Sequence, residues 1–318
     1  MLRYIAKRIL HGLFVIWMVA TVVFFGLRAI PGGPALAILG IKATAERVRE
    51  LRQIMGLNRP LYVQYIDYIT NLLTLDFGIS YVLGRPIATL VMNAAPRTLS
   101  IAMVGIIIGL SIAIPAGIIS ALYPDELPDW IATITAFLGL SMPAFFIGIM
   151  LAIVFGVWLG LLPVFGYVPL TEGFIPWFKH IILPGIAVGT PYAAVIMRMT
   201  RSSLLEVLGS QYIKTAKAKG VLPRTRLYKH AIQNAMIPVI TVAGIQIAII
   251  IIGSVTVEIV FGINGIGRLL VNAMLASAYF LVQVIIVLTS VVLVSTNITI
   301  DLIYTLIDPR IRYGDEKV

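Results

Sequence analysis

The stretch Leu99-Ser-Ile-Ala-Met-Val-Gly-Ile-Ile-Ile-Gly-Leu-Ser-Ile-Ala-Ile-Pro-Ala-Gly-Ile-Ile-Ser-Ala121 carries no charged side chain from end to end. As an α-helix it is long enough to cross a hydrocarbon layer about 30 Å thick, where a helix satisfies its backbone hydrogen bonds internally. Runs of the same character cover approximately Ile9–Ile30, Trp130–Leu161, Ile181–Met197, Ile237–Val257 and Phe280–Leu302, which makes six spans. The Trp130–Leu161 run is the longest. It is interrupted at Ser141-Met-Pro143, where proline removes a backbone donor and should kink or loosen the helix.

Composition points the same way. Hydrophobic residues make up 59% of the 318, charged residues only 12%, and the mean hydropathy is +1.00. A soluble fold of this size has too much surface to cover with so few charges. The formal net charge is +10, but Lys and Arg sit mostly outside the apolar runs, where membrane orientation demands them. No aromatic-plus-basic stripe is present, so nucleic acid is not expected as a partner. The absence of cysteine excludes disulfides, Cys-ligated zinc and thiol catalysis. His11, His180 and His230 lie apart, without acidic neighbours at ligand spacing, and no metal site is expected.

Arg3, Lys7 and Arg8 precede the first run and place the amino terminus in the cytoplasm. The run ends in Ile30-Pro-Gly-Gly-Pro34 instead of a small-residue cleavage site, so it reads as a retained span. Arg28 near its far end should snorkel toward the interface. An even number of spans returns the carboxyl end, with Arg310, Arg312 and Lys317, to the cytoplasm. It also places inside a segment rich in Arg198, Arg201, Lys214, Lys217, Lys219, Arg224, Arg226 and Lys229. The loop Tyr123–Asp129 is expected inside yet is acidic. The long loop 31–97 is external despite Lys42, Arg47, Arg49, Arg52 and Arg59, since long loops translocate largely regardless of charge. Within it Thr44 can cap a short helix bearing Val48, Leu51, Ile54 and Met55 and stopped by Gly56. A second amphipathic stretch from Pro60 gathers Leu61, Tyr65, Ile66, Ile69, Leu72 and Leu73 on one face.

Chemistry-bearing motifs are scarce. No phosphate-cradling G-x-x-x-x-G-K-[ST] occurs, so the chain is not expected to hydrolyse ATP itself, and no G-x-S-x-G or H-E-x-x-H appears. Glu258, Arg28 and Asp301 fall near span ends, where interfacial solvation explains them better than a proton relay does. The informative segment is Ser202–Pro238. It reads as a helix from Leu204 to Lys219 closed by Gly220, then a second from about Arg224 to Ala235 before Pro238 enters the next span. Either a solvated basic hairpin or a docking surface would give this pattern.

Within that segment, Gln211-Tyr-Ile-Lys-Thr-Ala-Lys-Ala-Lys-Gly220 and His230-Ala-Ile-Gln-Asn-Ala-Met-Ile-Pro238 closely resemble the cytoplasmic motif of dipeptide/oligopeptide/nickel ABC importer permeases. The resemblance spans nearly the whole chain, through Met1–Arg8, Pro31–Pro34, Asp76–Ser80, Ser141–Pro143, Ser203–Leu208, Glu258–Arg268 and Asp308–Arg310, and matches the family's B-type subunit. Three positions depart from it. Lys214 stands where the broader pattern is acidic, Gln211 where Asp is frequent, and Gly33 where Asp commonly follows Pro31-Gly32.

The resemblance implies an all-α membrane protein with six transmembrane helices. Residues 1–30 would be the cytoplasmic start and first helix, 31–97 the external loop, 98–307 a five-helix permease core including a cytoplasmic coupling loop 199–236, and 308–318 a cytoplasmic tail. It implies a multi-pass place in the cell membrane, a second homologous permease, two cytoplasmic ATPase subunits that bind ATP and magnesium, and an external substrate-binding protein. This chain itself would hold no cofactor and catalyse nothing. Tyr212, Thr215, Ala216, Lys217, Ala218, Lys219, Gly220 and Arg224 would contact the ATPase: Tyr212 as an anchor, the alanines allowing close seating, the cations meeting an acidic rim. Peptides are the expected cargo, with nickel chelates, glutathione or oligosaccharides as alternatives. An ion-coupled carrier, a passive channel and a membrane scaffold are the readings from other classes.

Overall fold

The computed structural model describes residues 2–40 and 43–307. Lys42 and the tail 308–318, with Asp308-Pro-Arg310, Arg312 and Lys317, lie outside these residues, and Arg3 and Asp301 are described by backbone alone. The chain folds as helices α1 (Leu2–Arg28), α2 (Gly33–Leu39), α3 (Ala45–Ile54), α4 (Leu61–Leu73), α5 (Ile87–Leu122), α6 (Leu127–Ser141) and α7 (Ala144–Leu151). They are followed by α8 (Phe174–Gly209), α9 (Gln211–Ala218), α10 (Pro223–Thr225), α11 (Gln233–Val260), α12 (Ile266–Leu275) and α13 (Tyr279–Ile307). Strand pairing among the described residues is confined to β1 (Ile79–Ser80) and β2 (Arg85–Pro86), antiparallel with Ile79 opposite Pro86. Five of the helical segments are long and apolar enough to cross a membrane, and α6 with α7 and its continuation to Trp158 forms a further candidate bent by 104°. The chain is thus a multi-pass helical membrane protein.

That bend exceeds the kink expected at Ser141-Met-Pro143. Met142 (φ −97°, ψ 128°) and Pro143 (φ −61°, ψ 144°) both leave the helical region. The ring of Pro143 disfavours helical ψ in the residue before it, so Met142 extends and α7 restarts in a new direction. Spans also run past their expected limits. The α5 helix starts at Ile87, not near Leu99, and α8 continues to Gly209, not Met197. Hydropathy marks the lipid-immersed part of a helix, whereas its ends depend on caps and packing.

Two compact units divide the described residues, one drawn from residues 2–96 and 265–298, the other from residues 97–264 and 299–307. In the first, Thr44 caps α3 by accepting from the Arg47 amide, as expected. The α4 helix also forms as expected, but Leu61, Ile66 and Leu73 stay exposed, and Tyr65 packs against Phe24 with ring centroids 5.1 Å apart. Arg28 is half-buried. Its Nε and Nη2 both donate to Gln64 Oε1 on α4, and its guanidinium lies 3.4 Å from the Phe24 ring centre. Burial pushes the nearby Tyr68 phenol above its ordinary pKa, while the Arg28 charge works against that shift. Gly33, one of the departures from the family pattern, takes φ +75°, a conformation glycine adopts at no steric cost.

In the second unit α8 is the central element. Ile181, Leu183, Ala187, Val188, Tyr192, Ile196 and Met197 are buried along it with Ile101, Val104 and Ala113 of α5 and Val257 of α11. The α5 and α8 backbones nearly touch: a Cβ built on Gly189 would fall 2.6 Å from the Gly105 carbonyl oxygen. Close approach through small residues is how helices associate in lipid, where apolar burial alone gives little drive.

Candidate functional site

The basic segment differs in detail from the two-helix expectation. Leu204–Gly209 completes α8, and Ser210 at ψ 153° breaks the helix before α9 begins. On the far side, α10, a π-helical turn over Arg226–Ile232 and α11 follow one another directly, with Pro238 inside α11 instead of at its start. A prolyl ring is tolerated there because membrane helices re-satisfy the freed carbonyl locally. At 1.5 Å per residue, the 36-residue α8 is about 54 Å long. It therefore projects well beyond a hydrocarbon layer about 30 Å thick, and α9 sits at the end of that projection.

The turn after α9 is a Schellman closure. The Val221 amide donates to the Ala216 carbonyl at 3.1 Å and the Gly220 amide to Lys217 at 3.1 Å, with Gly220 at φ +77°. Tyr212, Thr215, Lys217, Ala218, Lys219, Gly220 and Arg224 are exposed and Ala216 is half-buried. Tyr212 is 46% exposed. The inward anchor is its neighbour Ile213, which packs in a cluster with Leu204 of α8, Ala121 of α5 and Ala231 and Ala235 on the returning strand of the hairpin. Ser203 Oγ reinforces it by donating to the Ala235 carbonyl at 2.9 Å. An Ile213→Ala variant is expected to lose about 2–4 kcal/mol of local stability, read as at least tenfold faster amide exchange across Gln211–Ala218.

Sequence reasoning missed both Ile213 and a second tie beside it. The acidic loop Tyr123–Asp129, whose expected place inside did not fit its charge, carries Asp129 at 4% exposure. Arg201 of α8 grips both its oxygens, Nε to Oδ1 and Nη2 to Oδ2 at 2.6 Å each. Ser120 Oγ of α5, the Asp125 amide and Thr133 Oγ1 also donate to it. The signal available was the misfit itself: an acidic group at an end that favours basic residues needs a cation nearby.

Glu258 near the end of α11 lacks the solvation expected of it. It is fully buried and accepts from Thr98 Oγ1 at 2.6 Å and from Ser254 Oγ at 3.3 Å. A carboxylate inside such a bundle persists only when hydrogen-bonded.

Helices of spanning length, a long projecting α8 and a basic hairpin rooted by Ile213 define a polytopic protein with a built element at one end. Residues 113–313 match the family of binding-protein-dependent transport system inner membrane components, and residues 1–102 match the amino-terminal part of such membrane components. A probable peptide ABC transporter permease protein, y4tP, of Sinorhizobium fredii is 39% identical over 310 residues, covering 98% of this chain and 99% of that protein. The glutathione transport system permease protein GsiC of Escherichia coli K12 is 38% identical over 313 residues, covering 98% of this chain and all of that protein. The chain belongs to the inner-membrane permease family of binding-protein-dependent transport systems.

Proposed function

We propose that this chain forms half of an import pathway for peptides or closely related small solutes. In this reading two cytoplasmic ATPase subunits, which bind the ATP and magnesium, drive it by gripping α9. A second, homologous permease completes the pathway and an external binding protein delivers the cargo. The observation that carries the reading is the division of α9 into two faces. Ile213 fastens one side to the bundle, while Tyr212, Thr215, Ala218 and Lys219 are exposed around the rest of the helix; Lys217, one turn from Ile213, is exposed at the edge, and Arg224 is exposed beyond the Gly220 turn. An exposed aromatic beside small residues and a rim of cations is suited to a groove with an acidic edge. Peptide cargo is favoured by the names of the two relatives, one a probable peptide transporter and one a glutathione transporter.

The same reading has six crossings and both termini in the cytoplasm. Counting the bent α6–α7 pair as one crossing is supported by the Asp129–Arg201 contact. Asp129 opens α6, whereas Arg201 lies toward the far end of α8. Since α8 itself crosses, the chain between residues 129 and 174 has moved to the opposite face.

Because the chain has no cysteine, an Ala218→Cys or Tyr212→Cys variant supplies a unique crosslinking handle. In actively importing complexes it is expected to capture an ATPase subunit. Failure to reach one in any nucleotide state overturns the docking assignment. The purified chain alone is expected to show no ATP turnover, and robust hydrolysis by it would contradict the division of labour.

A further inference from the structure

We propose that the Asp129–Arg201 pair is a positioning device that makes α6 move as one body with the α8 projection and α9. This inference rests on the coupling role given above to α9. Between residues 190 and 194 of α8 and Gly139 of α6 the two helices pack closely, with a Cβ at Gly139 falling 3.1 Å from Thr190 Cγ2. Nearer the hairpin they part around a cavity of about 400 Å³ lined by Trp130, Thr133, Phe137, Arg198 and Ser202 together with the ion pair. Across it the connection is made by the Arg201–Asp129 fork and by the Arg198 guanidinium, which lies 4.9 Å from the Phe137 ring centre.

The geometry suits transmission of a pull. A bidentate guanidinium–carboxylate fork resists rotation as well as separation. The Asp129 carboxylate is further held by Ser120 of α5, itself fully buried, and by the Asp125 amide at 3.0 Å. A displacement of α9 carried along the α8 projection therefore arrives at the ends of α5 and α6 together. Without the fork, only the looser Arg198–Phe137 contact bridges the pocket, which gives α6 room to lag behind. Asp129 acts through Arg201.

The test uses the assembled transporter. In Asp129→Asn, which keeps shape but loses charge, assembly and basal ATPase are expected within about twofold of the parent. Uptake per ATP hydrolysed should fall by about fivefold or more, the lower range for coupling between sites. Spin labels at Ile134→Cys on α6 and Lys214→Cys on α9 supply a readout that a merely structural role would not move. Their separation should be the same in the nucleotide-free and ATP-trapped states of the parent, and should differ between those states in Asp129→Asn. Arg201→Lys, which keeps charge but not the fork, should show a milder form of the same defect, and it serves as the test variant if Asp129→Asn does not assemble. Normal uptake per ATP in the assembling variant, or an α6–α9 separation that already changes in the parent, overturns the proposal. Because the separation is read within this chain, it stays informative even where the Ala218 crosslink to an ATPase fails.

Discussion

Replacing Gly220 with isoleucine is expected to bring uptake by the assembled transporter to background while the chain inserts at its normal level. The residue takes φ +77°, and a Cβ there would meet nothing within 4 Å, so the penalty is torsional and not a clash. Holding an L-residue in this region costs about 1–2 kcal/mol, and a β-branched side chain is the least tolerant of it. That is a large sum for an eight-residue helix, which has little stability of its own. The turn can relax only by surrendering the Val221-to-Ala216 and Gly220-to-Lys217 hydrogen bonds, which displaces Lys219 and Arg224 relative to Tyr212. Asparagine, which tolerates the left-handed region, should retain most of the uptake. Equal uptake by the isoleucine and asparagine variants, measured at matched membrane levels, would remove the turn from the coupling mechanism.

A Gly189→Val variant is expected to lose most of its folded population in detergent, whatever happens at the hairpin. The Cβ would lie 2.6 Å from the Gly105 carbonyl oxygen and 3.2 Å from its Cα, so the obstacle is backbone, which no rotamer change can move aside. Overpacking typically costs about 1–3 kcal/mol where side chains yield, and more where they cannot. Separation of α5 from α8 would also open the largest buried cluster of the second unit. Gly26→Ala is the matched control, since nothing lies within 4 Å of its added Cβ. Placing alanine for glycine in an exposed helix should be neutral or stabilising by about 0.5–1 kcal/mol. Thermal melts of the two variants should therefore shift in opposite directions or differ by many degrees.

These expectations mark what could be read without coordinates. The apolar runs overlap each candidate spanning helix among the described residues, because burial in lipid is a property of composition over some twenty residues. Thr44, Gly56 and Gly220 announced their caps, since capping depends on a few adjacent atoms. The order of motifs from Met1 to Arg310 was enough to indicate the family. Less accessible were the true ends of α5 and α8, the sharpness of the turn at Met142-Pro143 and the uninterrupted run of α11 through Pro238. Each is decided by what the helix packs against.

The candidate site divides along the same line. The exposure of Tyr212, Lys217, Ala218 and Lys219 was legible because these residues lie in one short, strongly basic segment. Ile213 was passed over because a lone isoleucine on an eight-residue helix gives no periodic signal; its role exists only where Ala121, Leu204 and Ala231 converge. Asp129 and Arg201 are 72 residues apart, and nothing local in either stretch says that they meet. Sequence alone thus determined the membrane, the spans and the outward chemistry of the hairpin, all consequences of local composition and backbone geometry. Tertiary structure alone decided what anchors that hairpin and what ties it to α6, because those ties form between segments that only packing brings together.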